Sequence, residues 1–163
     1  QWTDGKIETA LPGGGSVIAN TSLAPLGRRR DAVAGFDYFL LSHPESVSAN
    51  GGLALFSNIE TGDEIVLMEG DEYNLVQRAG RVAENALEMA RLDKDSIAGA
   101  LVIYCAGCML TVQERMPEVA EGLRTVLGDK PFLGSFTFGE PGCFIGGSNH
   151  HGNLMVSVVV FGA

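Results

Sequence analysis

The apolar segment AGALVIYC, residues 98–105, decides the fold class. No charged residue interrupts it, which is typical of a strand covered on both faces. A helix is predicted to start near Met116, because Pro117 is tolerated in a first turn and Gly128 provides a stop. Residues 132–138 then form a second strand. This strand–helix–strand order predicts a right-handed parallel crossover.

Further strands are predicted on both sides of this unit. Residues 154–161 are apolar and predict a second interior strand, antiparallel beside the first. Upstream, residues 52–59 and 64–69 are strand-like runs separated by a turn that contains Gly62, which is a hairpin signature. Residues 36–42 form a short aromatic and aliphatic run that ends before a proline.

A long helix is predicted after Asp71, which can cap it, because apolar residues recur there at helical spacing. Gly80 lies among these apolar positions, where its missing side chain would let a sheet approach closely. We therefore predict an α/β fold, bordering on α+β. Its mixed sheet has an N-terminal antiparallel hairpin, a central parallel crossover and a C-terminal antiparallel strand, with helices packed on it.

The segment before residue 36 is the least regular. Residues 16–23 could form a strand, and Arg28, Arg29 and Arg30 form a short basic run. Such a run is usually a solvated loop, and the alternative is a docking surface for a neighbouring domain. Because the chain begins with Gln1 rather than Met, we interpret it as a piece of a longer polypeptide.

Composition excludes several classes of protein. Apolar residues make up 45% of the 163 residues and charged residues 19%, which excludes a disordered chain. A formal net charge of −9 makes nucleic acid and anionic membrane poor partners. Three cysteines, an odd number, argue against a secreted disulfide framework, and no signal peptide or membrane-spanning run is visible. A cytoplasmic location is therefore the expectation.

The uncommon polar residues follow the two strands of the predicted crossover. Ligands tend to bind where the carboxyl ends of parallel strands meet, because the loops diverge there. Cys105, Ala106 and Gly107 follow the first strand, and Glu140 follows the second as the only carboxylate between residues 134 and 152. We expect Glu140 to lie in a concave pocket opposite the 105–107 turn, where glycine N–H groups receive a carboxylate and Glu140 an ammonium group.

Cys105 and Cys108 form a C-x-x-C pair with three interpretations. Both can be small residues that fill a tight corner, which is the commonest case. They can be a redox pair at a helix start, and rapid disulfide formation in mild peroxide would favour that function. With Cys143, His150 and His151 they could also bind zinc, although the irregular spacing argues against a metal site. We expect neither a metal nor a cofactor, and no catalytic residue.

Four segments of this sequence resemble the FIST C-terminal domain. They are GALVIYCAGCML (99–110), PFLGSFTFGEPG (131–142), HGNLMVSVVVFG (151–162) and, upstream, GGLALFSNIETGDEIVLMEGD (51–71). The resemblance extends from about residue 36 to 163, and residues 1–35, with WTDGKI and PLGRRR, resemble the lead-in from the N-terminal FIST half. Cys108 departs from the common pattern, which argues against a redox centre shared by the family.

The resemblance implies a bacterial sensory domain in signal transduction that binds a small ligand, in particular an amino acid, and is not an enzyme. Its implied partners are the N-terminal FIST half of the same polypeptide and a signalling output domain. The motif positions that would contact the ligand are Cys105, Ala106, Gly107, Thr137, Phe138, Gly139, Glu140, His151 and Asn153.

Overall fold

The chain passes from a first unit into a second, returns to the first and ends in the second. The computed structural model describes residues 13–33, 36–143 and 148–163. The first unit contains the described residues up to Gly70 together with Gly139–Leu154, and the second contains Asp71–Phe138 and Met155–Ala163. The WTDGKI opening and the glycines at 146 and 147 lie outside the described residues.

Eleven strands and four α-helices follow one another within the described ranges. In chain order they are β1 (Gly15–Ser16), α1 (Ile18–Thr21), β2 (Leu26–Val33), β3 (Phe36–Ser42), β4 (Pro44–Val47), β5 (Leu53–Leu55), β6 (Ile65–Leu67), α2 (Glu72–Ala90), β7 (Ile97–Cys105), α3 (Ala106–Thr111), α4 (Met116–Leu127), β8 (Phe132–Thr137), β9 (Glu140–Cys143), β10 (Asn149–Gly152) and β11 (Val156–Gly162).

The first unit is built from small antiparallel sheets. β3, β2 and β6 form one sheet, β1, β4 and β5 form another, and β9 and β10 form a two-stranded hairpin. The predicted strand 36–42 is confirmed as β3. It pairs with β2 from Leu26 opposite Ser42 to Val33 opposite Phe36, with a register shift after Arg30. The β2–β3 pair is antiparallel and consists of other residues than the predicted N-terminal hairpin.

The hairpin predicted from residues 52–59 and 64–69 is wrong. β5 pairs with β4, and β6 pairs with β2, so the two runs belong to different sheets. Each run has only three paired residues, and such short strands carry little information about their partners. The predicted strand 16–23 is also wrong, because the helix α1 occupies the middle half of it.

The arginine run is not a solvated loop. All three arginines lie in β2, and alternation along the strand sends Arg28 and Arg30 to one face and Arg29 to the other. Arg29 is half-exposed and forms ion pairs of 2.8 Å with both Asp37 and Glu64. Arg28 is buried. The strand continues through the run because its two neighbours, β3 and β6, take up its backbone hydrogen bonds.

The second unit contains the predicted crossover. β7 and β8 pair in parallel from Ala100 opposite Phe132 to Cys105 opposite Thr137, and α3 and α4 lie between them in the chain. β11 pairs antiparallel with β7, which gives the order β11-β7-β8. The chain is therefore an α/β protein with a mixed sheet, as predicted.

Both predicted helices are confirmed, together with the start of α2 and both ends of α4. Asp71 caps α2, and its carboxylate accepts a hydrogen bond of 2.8 Å from the backbone N–H of Asn74. α4 begins at Met116 with Pro117 in its first turn and is followed by Gly128, whose φ is +67°. The local rules for helix ends therefore predicted both boundaries.

The helices of this unit bury one face of the sheet. The buried positions on α2 and α4 are Leu75, Val76, Ala79, Gly80, Ala83, Leu87, Val119, Leu123 and Leu127. A Cβ atom built on Gly80 would lie 3.0 Å from the carbonyl oxygen of Gly122. The close approach at Gly80 is therefore made by α4, and the expectation that a sheet approaches there is wrong.

The other face of this sheet is open to solvent. Along β7, Val102 is buried while Leu101 is only half-buried. Leu133 on β8 and Val159 and Phe161 on β11 are 71%, 51% and 53% exposed. β11 also lies at the end of the described sheet order. β7 is the central strand of this sheet, as predicted, whereas the prediction that β11 is interior is wrong. The prediction that both strands are covered on both faces is also wrong, because the helices cover only one face.

Candidate functional site

The carboxyl ends of β7 and β8 meet as predicted. Cys105 and Thr137 are paired in the last rung of the parallel ladder. Cys105 also precedes the first turn of α3, in which Ala106 and Gly107 are buried. Phe138 follows Thr137 and is 66% exposed. The second unit therefore holds five of the nine predicted site residues at the ends of two neighbouring strands.

The thiols at this strand end are buried. Cys105 and Cys108 are both buried and form no disulfide among the described residues, whereas Cys143 is exposed. Tyr104 lies directly before them, its hydroxyl donates a hydrogen bond of 3.2 Å to the carbonyl of Leu75, and burial raises its pKa. This phenol therefore stays protonated and supplies no base. Reactive cysteines are partly accessible, so the burial of both thiols favours the packing interpretation.

The remaining predicted site residues lie on or beside the β9–β10 hairpin of the first unit. Glu140 pairs with Gly152, and Pro141 pairs with His151. Glu140 is 5% exposed. A Cβ atom on Gly139 would lie only 2.7 Å from Nε2 of His151, so the imidazole packs directly against this glycine and a side chain there would displace it. Gly139, Glu140 and His151 are thus brought together, and the imidazole occupies the space beside Gly139.

Asn153 connects this hairpin with the end of β3. Its Oδ1 accepts a hydrogen bond of 3.1 Å from the backbone N–H of His43, and its Nδ2 donates one of 3.2 Å to the carbonyl of Gly152. Its own backbone N–H donates to the carbonyl of Leu41 at 3.2 Å. The side chain is 2% exposed, so both ends of the amide serve backbone groups inside the unit.

A buried histidine lies beside this connection. His43 is 3% exposed, and its ring centroid is 5.6 Å from that of Phe56. Its Nε2 is 3.1 Å from the carbonyl oxygen of Ile18, to which the neutral ring donates. Burial lowers the pKa of His43, and the hydrogen bond to Ile18 only partly opposes this shift.

A buried arginine also contacts the hairpin. Arg28 is 7% exposed and donates hydrogen bonds to the carbonyl oxygens of Asn58 and His151. On the same unit, the hydroxyl of Ser57 donates to that of Ser42 at 2.7 Å, and both are buried. The first unit therefore carries a buried polar group of residues around the β9–β10 hairpin, with charges of both signs.

The comparison with protein families gives one match. Residues 11–143 match the family described as the FIST C domain, which is most of the chain. The chain belongs to the FIST C domain family. This confirms the resemblance drawn from the sequence. No curated protein and no solved structure matches this FIST C domain.

Membership associates this FIST C domain with sensory proteins of signal transduction. No helix within the described ranges has both the length and the apolar composition needed to cross a bilayer. Among the same residues, no group of three or more His, Cys, Asp or Glu side chains could hold a metal ion.

Two buried polar residues of this FIST C domain, His43 and Arg28, were not identified as buried from the sequence. His43 directly follows the predicted strand 36–42, and Arg28 belongs to the arginine run. A period of two places Arg28 and Arg30 on the same strand face as Leu26, which is a signal of partial burial. No comparable pattern marks His43, because its burial depends on the distant residues Ile18 and Asn153.

We expect this FIST C domain to lose stability as the pH falls below the pKa of an unfolded histidine, because buried His43 resists protonation. An unfolded histidine has a pKa of about 6.5, and burial holds the folded pKa below that value. Below about pH 6.5 the unfolded chain therefore binds the proton first. The free energy of unfolding decreases by up to about 1.4 kcal/mol per pH unit until the folded pKa is reached. Urea unfolding at several pH values between neutral and mildly acidic measures this.

His43→Gln should remove this part of the pH dependence, because Gln can still donate to the carbonyl of Ile18 but does not titrate. His150→Gln changes a residue on β10 whose Nε2 is 2.8 Å from the hydroxyl of Ser148. It is the matched control for the replacement of a histidine by glutamine. An unchanged slope in His43→Gln would show that another group controls it.

Proposed function

We propose that this FIST C domain is a non-catalytic sensory module that binds a small molecule, with amino acids as the ligand class. The observation that carries the proposal is the family match over residues 11–143. Its sensory association and the buried charges around the β9–β10 hairpin both favour recognition of a small polar molecule over catalysis.

Glu140 is the residue that we assign to the ammonium group of the ligand. It is the only carboxylate between residues 134 and 152, and it is 5% exposed. A carboxylate in such a place interacts with a cation more strongly than an exposed one, because the local dielectric constant is low. A site with charges for both ends of a zwitterion would also reject analogues that lack one of them.

The other assigned positions complete the proposal. His151 and Gly139 accompany Glu140 on the hairpin, and the strand-end residues Cys105, Ala106, Gly107, Thr137 and Phe138 are proposed as further ligand contacts, with Asn153. The proposed partners are the FIST N-terminal half of the same polypeptide, with the division near residue 36, and a signalling output domain. The proposed location is the bacterial cytoplasm.

A thiol-based redox function is the second candidate. It is favoured by one observation, that Cys105 directly precedes α3 and Cys108 lies within its first turn. Both thiols are buried, however, which limits access by an oxidant or a partner. Ligand binding is therefore the better supported proposal.

Thermal unfolding in the presence of single L-amino acids tests the proposed function. A ligand at a hundredfold excess over its dissociation constant adds about 2.7 kcal/mol of stability. For a domain of this size that raises the melting temperature by roughly 5–10 °C. We expect at least one amino acid to give such a shift, and Glu140→Gln to reduce it strongly, with each shift measured from the unliganded melting temperature of the same variant.

Glu121→Gln is the matched control, because it removes an exposed carboxylate on α4. It should bind the same amino acid as the unmodified protein does. If Glu140→Gln also binds it unchanged, Glu140 is not in the site. If neither amino acids nor other small metabolites stabilise the unmodified protein, the sensory ligand is of another kind and the proposal is wrong.

A further inference from the structure

Arg28 and Arg30 share one face of β2 with buried apolar neighbours. Leu40, directly opposite Arg28 on β3, is 1% exposed, and Leu26 on β2 is 8% exposed. Arg28 itself is 7% exposed. A guanidinium in such surroundings needs an acceptor for each of its donors, because water does not reach it.

Two donors on this face lack an acceptor among the described residues. The Nε atoms of both Arg28 and Arg30 are buried and make no hydrogen bond within residues 13–33, 36–143 and 148–163. The Nη atoms of Arg28 donate to the carbonyl oxygens of Asn58 and His151, the second at a long 3.3 Å. Arg28 therefore keeps an Nε–H that no described residue accepts, beside an Nη2 that makes only a long hydrogen bond. This is the pair of donors that receives a carboxylate in a bidentate manner.

The charges around Arg28 also favour the binding of an anion. The acceptors of Arg28 are neutral carbonyl groups, and the nearest ion pair on this face joins Arg30 to Asp63 at 3.7 Å. Burial and the positive charge of Arg30 lower the pKa of Arg28, and Asp63 and Glu60 only partly oppose this. An added anion would relieve both the missing hydrogen bonds and the repulsion between the two arginines.

We infer that Arg28 and Arg30 receive the carboxylate group of a small molecule through their Nε–H donors. The inference rests on the proposed function for the nature of the ligand. It assigns Arg28 and Arg30 to the carboxylate of an amino acid, whose ammonium group is assigned to Glu140. Arg28 donates to the carbonyl of His151, and the next residue, Gly152, pairs with Glu140. Arg28 and Glu140 therefore belong to the same unit, and both make hydrogen bonds or pairs with residues of the β9–β10 hairpin. The burial of Arg28 favours a small carboxylate over a polyanion such as nucleic acid.

The test uses sodium acetate as the probe, with sodium chloride at equal ionic strength as the reference. In the ¹⁵N-labelled 163-residue chain, the arginine Nε–H resonances report directly on these donors. We expect acetate to shift the Arg28 and Arg30 signals saturably in the millimolar range, and chloride to shift them little. Arg29 has carboxylate partners already, so its signal should not respond.

Arg28→Lys keeps the positive charge but loses the planar pair of donors. It should weaken acetate binding by about tenfold or more, whereas Arg29→Lys should leave it unchanged. If Arg28→Lys does not fold, the titration of the unmodified protein decides alone. The inference would be overturned if acetate shifted the Arg28 resonance no more than chloride does, with no saturable response.

A second arm separates this inference from the proposed function. The same titration is repeated with glycine and with methylamine, which lacks the carboxylate. Glycine should reproduce the acetate response, and methylamine should not. If acetate binds at Arg28 but no amino acid binds the protein, the inference stands and the proposed function is wrong. If an amino acid binds without moving the Arg28 signal, the inference is wrong and the sensory function stands.

Discussion

Val102→Asp is expected to unfold the unit formed by residues 71–138 and 155–163. Val102 lies in the central strand β7 on the face covered by helices and is 3% exposed. A carboxylate there would be buried without a partner between the sheet and the helices, on the same strand face as the buried Ala100. Burying a polar group without a hydrogen bond costs about 2–7 kcal/mol, and a charge costs more. This is comparable with the whole stability of an ordinary domain, about 5–15 kcal/mol.

Val159→Asp is the control for this substitution. It introduces the same carboxylate one strand away, on the open face, where Val159 is 51% exposed. We expect it to change the free energy of unfolding by about 0.5 kcal/mol or less. Chemical unfolding followed by far-ultraviolet circular dichroism measures both variants. Equal destabilisation by the two would show that the helices do not distinguish the two faces of the sheet.

Gly80→Val is expected to separate α2 from α4. The Cβ position of Gly80 is 3.0 Å from the carbonyl oxygen of Gly122 and 3.2 Å from its carbonyl carbon. These are backbone atoms of another helix, so they cannot move aside as the end of a flexible side chain can. The added methyl groups would overpack this contact, which typically costs about 1–3 kcal/mol and occasionally more. Urea unfolding measures the loss.

Gly122 of α4, which faces Gly80 across this contact, supplies the control. A Cβ atom on Gly122 would meet nothing within 4 Å. Gly122→Ala should therefore stabilise α4 by about 0.5–1 kcal/mol, because alanine loses less backbone entropy in a helix than glycine does. If Gly80→Val is neutral or Gly122→Ala is strongly destabilising, the two glycines do not have the unequal surroundings described here.

Patterns within a few residues predicted much of the second unit. The cap at Asp71, the helical spacing after it, and Pro117 and Gly128 at the two ends of α4 are local signals, and each was confirmed. The parallel pairing of β7 with β8 was also predictable, because a strand–helix–strand connection allows few topologies. The exposure of one sheet face was not predictable, since an apolar run does not show what covers each side of the strand.

The first unit was harder to predict because its contacts join distant parts of the chain. β6 pairs with Leu26–Arg28 rather than with its sequence neighbour β5, and three residues of alternating pattern fit either partner. The residues of the candidate site were also harder to predict where their contacts are distant in sequence. Glu140 was identified from its glycine-rich surroundings, whereas Arg28 needed the fold, because its contacts with Asn58 and His151 span long stretches of sequence.

The interleaved path of the chain between its two units has a consequence for biosynthesis. The β9–β10 hairpin joins a unit whose other strands all precede Asp71, and β11 supplies the antiparallel neighbour of β7 only after that hairpin has been made. A growing polypeptide can form α2 and β7 early, but it can complete neither unit until residues 139–163 have left the ribosome. Contacts of such long sequence separation form slowly and leave apolar surface exposed in the meantime. Both units therefore close at nearly the same time, and only after residues 139–163 have been made.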